Sequence, residues 1–260
     1  MSLFCIADLH LPGPYGEGKS MEVFDSRWRG AVEKLEKNWR AIVEIDDTVV
    51  IPGDISWALK LHDALDDLKF IDSLPGRKLI GKGNHDFWWS TAGSMRSLFE
   101  SAGITTIDLL YNNSYVIPGF EIVGARGWYP DPANQKTAAG SPPPDWAKIS
   151  AREETRLKLS IASLSRYTGG NGPERILFIH FPPVWRGFVC RGIVDIMHES
   201  GIRRCYYGHI HGVYSSEGDF EFEGISFKMI SADRLDFSPM PVPRRVTRPD
   251  GGAFYREYHN

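Results

Sequence analysis

The sequence has little cysteine, little excess charge and no long apolar run. Its 260 residues include only three cysteines, Cys5, Cys190 and Cys205, without Cys-x-x-Cys spacing, which argues against a disulfide framework. Cys5 and Cys205 lie within apolar runs, which predicts buried and unreactive thiols. No apolar stretch approaches the roughly 20 residues of a membrane span, and the first eight residues lack a secretory pattern. We therefore expect a cytoplasmic protein with no membrane partner.

The formal net charge of −3 gives the chain no overall attraction for nucleic acid, so the sequence carries no strong sign of nucleic-acid binding. Hydrophobic residues make up 42% of the chain and charged residues 24%. A chain of this length and composition can bury a substantial core. We expect one globular domain over residues 1–260.

Two periodicities alternate along the first 80 residues. Short apolar runs at 3–7, 48–51 and 78–80 are typical of strands. Apolar residues recur every three or four positions over 28–43 and 61–71, which predicts two amphipathic helices. This β-α-β-α-β order is typical of parallel strands joined by helical crossovers.

The pattern is less regular after residue 90. A helix is predicted near 90–101, a hairpin at 115–117 and 121–123, helices at 149–167 and 193–198, strands at 176–179 and 205–207, and short strands over 225–230 and 253–258. Residues 125–148 have no periodicity, and so long a connector is typical of a functional lid or a disordered loop. With 115–123 and 225–258 supplying a second sheet, the fold class is α/β: a two-sheet β-sandwich flanked by helices.

Polar side chains follow directly on several predicted strands. They are Asp8, His10, Asp54, Asn84, His85, His180, His209 and His211. If these strands share one sheet, the side chains meet along one edge, where parallel strands open into a crevice. Nitrogen and oxygen donors without a thiolate suit Mn²⁺, Fe or Zn²⁺ in a catalytic site.

Each of these motifs also has an ordinary structural explanation. Gly53-Asp54 is a common turn pair, and His180 before two prolines suits a loop. The sequence Gly208-His209-Ile210-His211 is more specific, because alternate residues of an extended segment project to the same side. The ordered combination of all the motifs at strand ends favours a functional site.

In this order, Asp8-x-His10, Gly53-Asp54, Gly83-Asn84-His85-Asp86, His180 and Gly208-His209-x-His211 resemble the five-block signature of the calcineurin-like metallophosphoesterases. The resemblance covers most of the chain and implies two metal ions, of Mn²⁺, Fe²⁺/Fe³⁺ or Zn²⁺. It implies that one ion is held by Asp8, His10 and His211, the other by Asn84, His180 and His209, and both by Asp54. It also implies that His85 is not a ligand, but a general acid or a hydrogen-bond donor to the phosphoryl oxygens.

The chemistry of such a site agrees with phosphoester hydrolysis. Two divalent ions outweigh two carboxylates, so the site attracts a phosphate although the chain is acidic. Metal coordination brings the pKa of water from about 15.7 to near 7, which supplies hydroxide for attack on phosphorus. The implied substrate is a phosphodiester or phosphomonoester of a small molecule or nucleotide.

One motif departs from a branch of this family. Phosphoprotein phosphatases carry Gly-Asp-x-x-Asp-Arg-Gly, whereas this chain has Trp57 where the second carboxylate would orient the histidine. This argues against a protein phosphatase and leaves the partner of His85 open. The sequence His180-Phe181-Pro182-Pro183 is more similar to the bacterial phosphohydrolase branch, which includes phosphodiesterases.

Three residues near the predicted site are candidates for substrate contacts. Arg126 and Trp128 open the irregular segment together with Tyr129, and Arg186 follows His180. Arginine can bind phosphate through two hydrogen bonds, and aromatic rings can stack on a base. Equally, these rings can serve only to pack the loop onto the body of the protein.

Three functions remain open from the sequence. The first is a dinuclear phosphohydrolase, and the second is a mononuclear metal hydrolase of non-phosphate esters or amides. The third is a binding module that uses the fold as a scaffold. Metal stoichiometry separates the first two, and a rate above the metal-free control excludes the third.

Overall fold

The computed structural model describes residues 1–13, 21–128, 145–164, 172–247 and 253–256. The helices are α1 (Ala31–Ile42), α2 (Leu65–Ser73), α3 (Ala92–Ala102), α4 (Trp146–Ala162) and α5 (Arg191–Glu199). The strands are β1 (Leu3–Cys5), β2 (Thr48–Ile51), β3 (Arg77–Ile80), β4 (Ile107–Leu109), β5 (Ser114–Ile117), β6 (Phe120–Ala125), β7 (Glu174–Ile179), β8 (Val184–Trp185), β9 (Phe188–Val189), β10 (Arg204–Tyr207), β11 (Asp219–Phe222), β12 (Ile225–Met229), β13 (Met240–Pro241), β14 (Arg244–Thr247) and β15 (Ala253–Arg256). Short 3₁₀ helices cover Met21–Val23, Ser26–Trp28, Leu61–Ala64 and Ser216–Gly218.

Two large sheets carry the fold. The first has the order β13-β1-β2-β3-β4, in which β1 to β4 are parallel and β13 is antiparallel. The second has the order β11-β12-β10-β7-β6-β5, with four parallel central strands and an antiparallel strand at each edge. The two sheets are flanked by helices, which confirms the fold class predicted from the sequence.

The assignment of strands to sheets differs from the prediction in two respects. Strands β7 and β10 lie in the second sheet, not in one sheet with β1 to β3. Among the described residues of the predicted region 225–258, β12 alone joins the second sheet, while β13 joins the first and β14 pairs with β15. The reason is that buried strands of either sheet read as similar apolar runs, so the local sequence does not specify their neighbours.

Alternate residues of each central strand face different hydrophobic cores. Leu3 and Cys5 of β1 pack between the two sheets with Phe178, whereas Phe4 and Ile6 contribute to the core beneath the helices of the first sheet. A strand exposes its side chains to opposite faces in alternation, and here both faces are covered. This packing explains why the strands are continuous apolar runs.

The helix boundaries differ from the predicted ones by a few residues. Helix α1 begins at Ala31, because Gly30 has a φ of 64° and Trp28 belongs to a short 3₁₀ helix. Helix α4 begins at Trp146, where the Asp145 side chain accepts a hydrogen bond from the Lys148 N–H at 3.0 Å. Residues 165–167 of the predicted helix lie outside the described residues.

The cysteine prediction is confirmed. All three thiols are free and buried, and burial raises the pKa of the Cys5 and Cys205 thiols. Thiols of this kind are unreactive. Among the helices that the structure describes, none combines the length and the apolar character that crossing a membrane requires.

Candidate metal centre

The polar groups at the strand ends come from both sheets and meet where the sheets join. Just beyond β1, the Ala7 N–H donates to the Ile230 carbonyl at 2.8 Å, and the Ala232 N–H donates to the Ala7 carbonyl at 2.9 Å. The first sheet supplies Asp8, His10, Asp54, Asn84 and His85, and the second supplies His180, His209 and His211. The site therefore lies at an edge shared by the two sheets, which differs from the single-sheet edge predicted from the sequence.

One group of donors contains Asp8, His10 and His211, whose potential ligand atoms lie within 4.8 Å of one another. The His10 Nε2 and His211 Nε2 atoms are 3.1 Å apart, and the His211 Nε2 atom is 3.7 Å from Asp8 Oδ1. Zinc–nitrogen bonds are about 2.0–2.1 Å long, so two nitrogens at this separation can share one ion.

A second group surrounds Asn84. Its Oδ1 atom lies 2.7 Å from His180 Nε2 and 2.9 Å from His209 Nδ1. The Asp54 Oδ2 atom is 3.5 Å from His180 Nε2 and 3.7 Å from His10 Nε2, so it lies between the two groups. Asp54 can thus contribute one carboxylate to both.

Burial shifts the pKa values of the titrating groups of this cluster and favours the neutral form of three of its imidazoles, those of His10, His180 and His209. Burial lowers the pKa of His10 and His180 well below the usual value, with smaller contributions from neighbouring histidines, and lowers the pKa of His209 to about 3. Burial also raises the pKa of Asp8 to about 6. Neutral imidazoles have the lone pair that coordination requires. The donor set therefore fits divalent metal ions.

Unusual backbone conformations hold these side chains in place. Four of the candidate ligands have a positive φ: Asp8 (58°), His10 (45°), Asp54 (51°) and His209 (71°). Such conformations cost about 1–3 kcal/mol each and cluster at functional sites. The glycines of the motifs allow close approach, since a Cβ atom at Gly83 would lie 2.1 Å from Asp54 Oδ1, and one at Gly208 would lie 2.3 Å from Asp8 Oδ2.

His85 lies at the rim, outside both donor groups. Its ring is half-buried, 4.6 Å from the Trp57 ring and 5.6 Å from the His10 ring, and it makes no side-chain hydrogen bond within the described part of the chain. Trp57 also stacks on His10 at 4.8 Å. Burial, together with His211, lowers the pKa of His85. Aromatic packing, rather than a carboxylate, therefore positions this histidine.

Asp86 has a structural role that the sequence analysis did not assign. Its fully buried carboxylate accepts hydrogen bonds from the N–H groups of Asp54 at 2.9 Å, Ile55 at 2.8 Å and Gly83 at 2.7 Å, and from the Trp88 indole at 3.0 Å. Asp86 thereby joins the loops that carry Asp54 and Asn84. The only sequence feature that pointed to Asp86 was its position in the Gly83-Asn84-His85-Asp86 motif.

Replacing Asp86 with alanine is expected to lower the free energy of unfolding by about 3 kcal/mol or more, because several buried N–H groups lose their hydrogen-bond acceptor. Denaturant unfolding of the metal-free protein measures this loss. Asp66→Ala, on an exposed face of α2, is the matched control and is expected to change stability by no more than about 0.5 kcal/mol. A loss below about 1 kcal/mol for Asp86→Ala would contradict the assignment.

Asp233 is a second residue that the sequence analysis missed. Its carboxylate lies 3.2 Å from His211 Nδ1 and accepts a hydrogen bond from the Gly212 N–H at 2.9 Å. Burial alone would lower the pKa of His211, but the bond to Asp233 and the charge of Asp8 raise it overall. By contrast, the Nδ1 atoms of His10 and His180 are buried and have no hydrogen-bond partner among the described residues. A carboxylate that orients one imidazole is typical of metal centres.

The predicted substrate contacts lie in different environments. The Arg126 guanidinium pairs with buried Glu153 at 3.4 Å and lies 5.3 Å from the Trp128 ring. Arg186 is largely exposed and pairs with Glu217 at 2.8 Å. Trp128 also packs against Trp146 at 5.6 Å. Contact with substrate stays a prediction for Arg126, Trp128 and Arg186. Tyr129 and most of the predicted lid, residues 129–144, lie outside the described residues.

Two helix-flanked sheets with carboxylates and imidazoles at their common edge form a site whose donors suit divalent metal ions. The family profile described as "Calcineurin-like phosphoesterase" matches residues 1–213, and the chain belongs to this family. The family consists of phosphoester hydrolases that typically bind divalent metals.

The chain is similar to solved structures of other proteins over most of its length. A search of curated proteins gives no match. The phosphopantetheinyl hydrolase PptH from Mycobacterium tuberculosis is 13% identical, with 93% of this chain and 95% of that chain covered and a TM-score of 0.54. A protein of unknown function, AQ665 from Aquifex aeolicus, is 17% identical, with coverages of 92% and 95% and a TM-score of 0.45. At these identities the likeness to PptH concerns the fold alone.

Proposed function

We propose that this protein is a dinuclear metal-dependent phosphohydrolase that cleaves a phosphodiester or phosphomonoester of a small molecule or nucleotide. The observation that carries the proposal is the position of Asp54 Oδ2, 3.7 Å from His10 Nε2 and 3.5 Å from His180 Nε2. One carboxylate oxygen between two groups of donors supports two ions that share a ligand. In this proposal Asp8, His10 and His211 would hold one ion, Asn84, His180 and His209 would hold the other, and Asp54 would contribute its carboxylate to both.

The ions supply Lewis acidity and a water molecule of lowered pKa when they are bound. The chain supplies the rest. Asp8 and Asp54 offset only part of the metal charge, which leaves the site attractive to a phosphate. His85, whose ring is outside the donor groups, is placed to donate a hydrogen bond to a phosphoryl oxygen or a proton to the leaving group. Trp57 holds that ring by packing on it.

The test is a screen of metal-depleted protein reconstituted with Mn²⁺, Fe²⁺ or Zn²⁺. The panel contains aryl and alkyl phosphomonoesters and phosphodiesters, nucleotides and cyclic nucleotides. A phosphopantetheinyl ester is included because PptH is named for that hydrolysis. We expect two metal ions per chain and hydrolysis well above the metal-free control. One ion per chain would favour a mononuclear hydrolase, and the absence of any metal-dependent rate would favour a scaffold.

Asp233→Ala is expected to weaken metal binding about 10- to 100-fold, because His211 loses the carboxylate that orients its ring. Activity should return when the metal concentration is raised, with the KM of the substrate unchanged at saturating metal. Titration of activity against metal concentration measures the shift. Asp236→Asn, a nearby exposed acid, is the control. An unchanged metal dependence in Asp233→Ala would remove Asp233 from the site.

A further inference from the structure

Several cationic side chains surround one buried carboxylate beside the candidate metal centre. The Glu153 Oε1 atom lies 2.7 Å from Arg156 Nη1, 3.4 Å from Arg126 Nη2 and 3.6 Å from Arg152 Nε. Glu153 is fully buried, whereas Arg126 and Arg156 are partly accessible, with side chains 15% and 22% exposed. One carboxylate cannot neutralise three guanidinium groups, so the cluster keeps a surplus of positive charge.

Lys82 adds a further cation to this cluster from the other sheet. It follows β3 and precedes Asn84 by two residues, and it is half-buried. The charged groups that act on its ammonium include Arg126 and Arg156, which are cationic, and Asp86 and Glu153, which are acidic. Within the described residues, this ammonium makes no hydrogen bond and no ion pair.

Lys78 is a buried lysine whose ammonium is paired with backbone carbonyls. The Lys78 Nζ atom donates hydrogen bonds to the carbonyls of Leu74 at 2.5 Å and Gly76 at 2.8 Å. A half-buried charge without a partner is costly, and a lysine with a purely structural role is paired in this way. The ammonium of Lys82, which has no partner among the described residues, is therefore available to an anion.

The cluster is continuous with the candidate metal centre. Arg126 is the first residue after β6, just as His180 is the first residue after the neighbouring β7. The Phe181 ring lies 5.9 Å from the Arg126 guanidinium and 4.3 Å from the His209 ring, so it separates the two groups by the width of one side chain. The Arg126 Nε atom is buried and has no hydrogen-bond partner among the described residues.

We propose that Lys82, Arg126 and Arg156 bind a second phosphate group of the substrate while the first is hydrolysed at the metals. This inference rests on the proposed phosphohydrolase function and narrows it to substrates with two phosphate groups. The guanidinium groups can hold phosphate oxygens by paired hydrogen bonds, and the lysine contributes a point charge. The subsite lies on the His209 side of the centre, whereas His85 lies on the His10 side.

The test uses alkanediol bisphosphates of increasing spacer length, each compared with the alkyl monophosphate of the same length. Binding to the metal-reconstituted protein is measured by calorimetry, and inhibition is measured against an aryl phosphoester. We expect at least one bisphosphate to bind about tenfold more tightly than its monophosphate, or about 1.4 kcal/mol. Equal binding of both members at every spacer length would overturn the subsite.

Substitutions test which residues of the cationic cluster cause the preference for bisphosphates over monophosphates. Lys82→Met and Arg126→Met are each expected to lower the ratio of bisphosphate to monophosphate affinity about fivefold. Lys158→Ala removes one positive charge from an exposed position on α4 and is expected to leave the ratio unchanged. Lys82→Met should fold normally, because its ammonium has no partner to lose in the described parts of the chain, and thermal unfolding verifies this. A ratio that is retained in both methionine variants would contradict the assignment.

The two proposals can fail separately. Metal-dependent hydrolysis without a preference for bisphosphates would remove the subsite and leave the phosphohydrolase function. Tighter binding of bisphosphates without hydrolysis of any phosphoester would remove the function and keep the anion site. If bisphosphates and monophosphates bound equally, the arginines around Glu153 would serve only to hold α4.

Discussion

Asparagine in place of Asp54 is expected to lower the rate of metal-dependent phosphoester hydrolysis about 10³-fold. The buried carboxylate lies between His10 and His180, so the loss of its charge weakens both proposed metal positions at once. Bound metals stabilise charge in the transition state by several kcal/mol, and each 1.36 kcal/mol is a factor of ten in rate. Hydrolysis rate and metal content should be measured on the same preparation.

Asparagine is chosen because it should preserve the metal-free fold. The Asp54 Oδ1 atom accepts a hydrogen bond from the His85 N–H at 2.7 Å, and an amide oxygen can accept it too. Burial, Asp86 and Asp8 together raise the pKa of Asp54 well above its usual value. Removing one of these clustered charges should leave the thermal stability of the metal-free protein unchanged or higher. Full activity with two bound metals in this variant would exclude the bridging role.

His85→Ala is expected to keep both metals and to lose about 10²- to 10⁴-fold in rate on alkyl phosphoesters, with a smaller loss on aryl phosphoesters. The ring lies outside the donor groups, between the rings of Trp57 at 4.6 Å and Phe87 at 6.3 Å, so its removal leaves the ligands in place. An alkoxide needs a proton or a hydrogen bond as it leaves, whereas an aryl oxide is stable without one. Metal analysis and the ratio of the two rates measure these effects.

A matched histidine separates this role from a general effect of losing an imidazole. The side chain of His62 is 75% exposed in a short 3₁₀ helix, and His62→Ala should leave metal content and both rates unchanged. Equal losses on aryl and alkyl esters in His85→Ala would argue against proton donation. Such a result would favour a hydrogen bond to the phosphoryl oxygens. Loss of a metal from that variant would make His85 a ligand.

The sequence was sufficient for central strands such as β1 and β2, because these strands are buried on both faces, whereas β4, β8, β9, β11, β13 and β14 were not predicted. Apolar runs such as those of β2 and β7 stand out against the amphipathic pattern of helix α1. The candidate metal ligands follow such strands directly. Glycines lie beside them because a larger side chain would clash with a ligand. A side chain at Gly83 would occupy the position of the Asp54 carboxylate. Motifs of this kind are short and contiguous, so they can be recognised from the sequence without knowledge of the fold.

Strand neighbours could not be read in the same way. Strands β7 and β10 were expected beside β1 to β3, but they form the centre of the second sheet. The two-residue strand β13 pairs with β1, more than 230 residues away along the chain, through the register Cys5–Met240. Periodicity reports which faces of a strand are buried and contains no information on which strand covers its edge.

The sequence by itself determined the set of candidate ligands, the separate position of His85, and the α/β fold class. Only the tertiary structure decided how those groups are supported. It placed Asp86 under the loops of Asp54 and Asn84, Asp233 behind His211, and Lys82 beside the arginines of α4 and the end of β6. The physical reason is that an aspartate or a lysine has the same local pattern at the surface and in the core. Its role depends on whether distant segments bury it and on which hydrogen-bonding groups they bring to it.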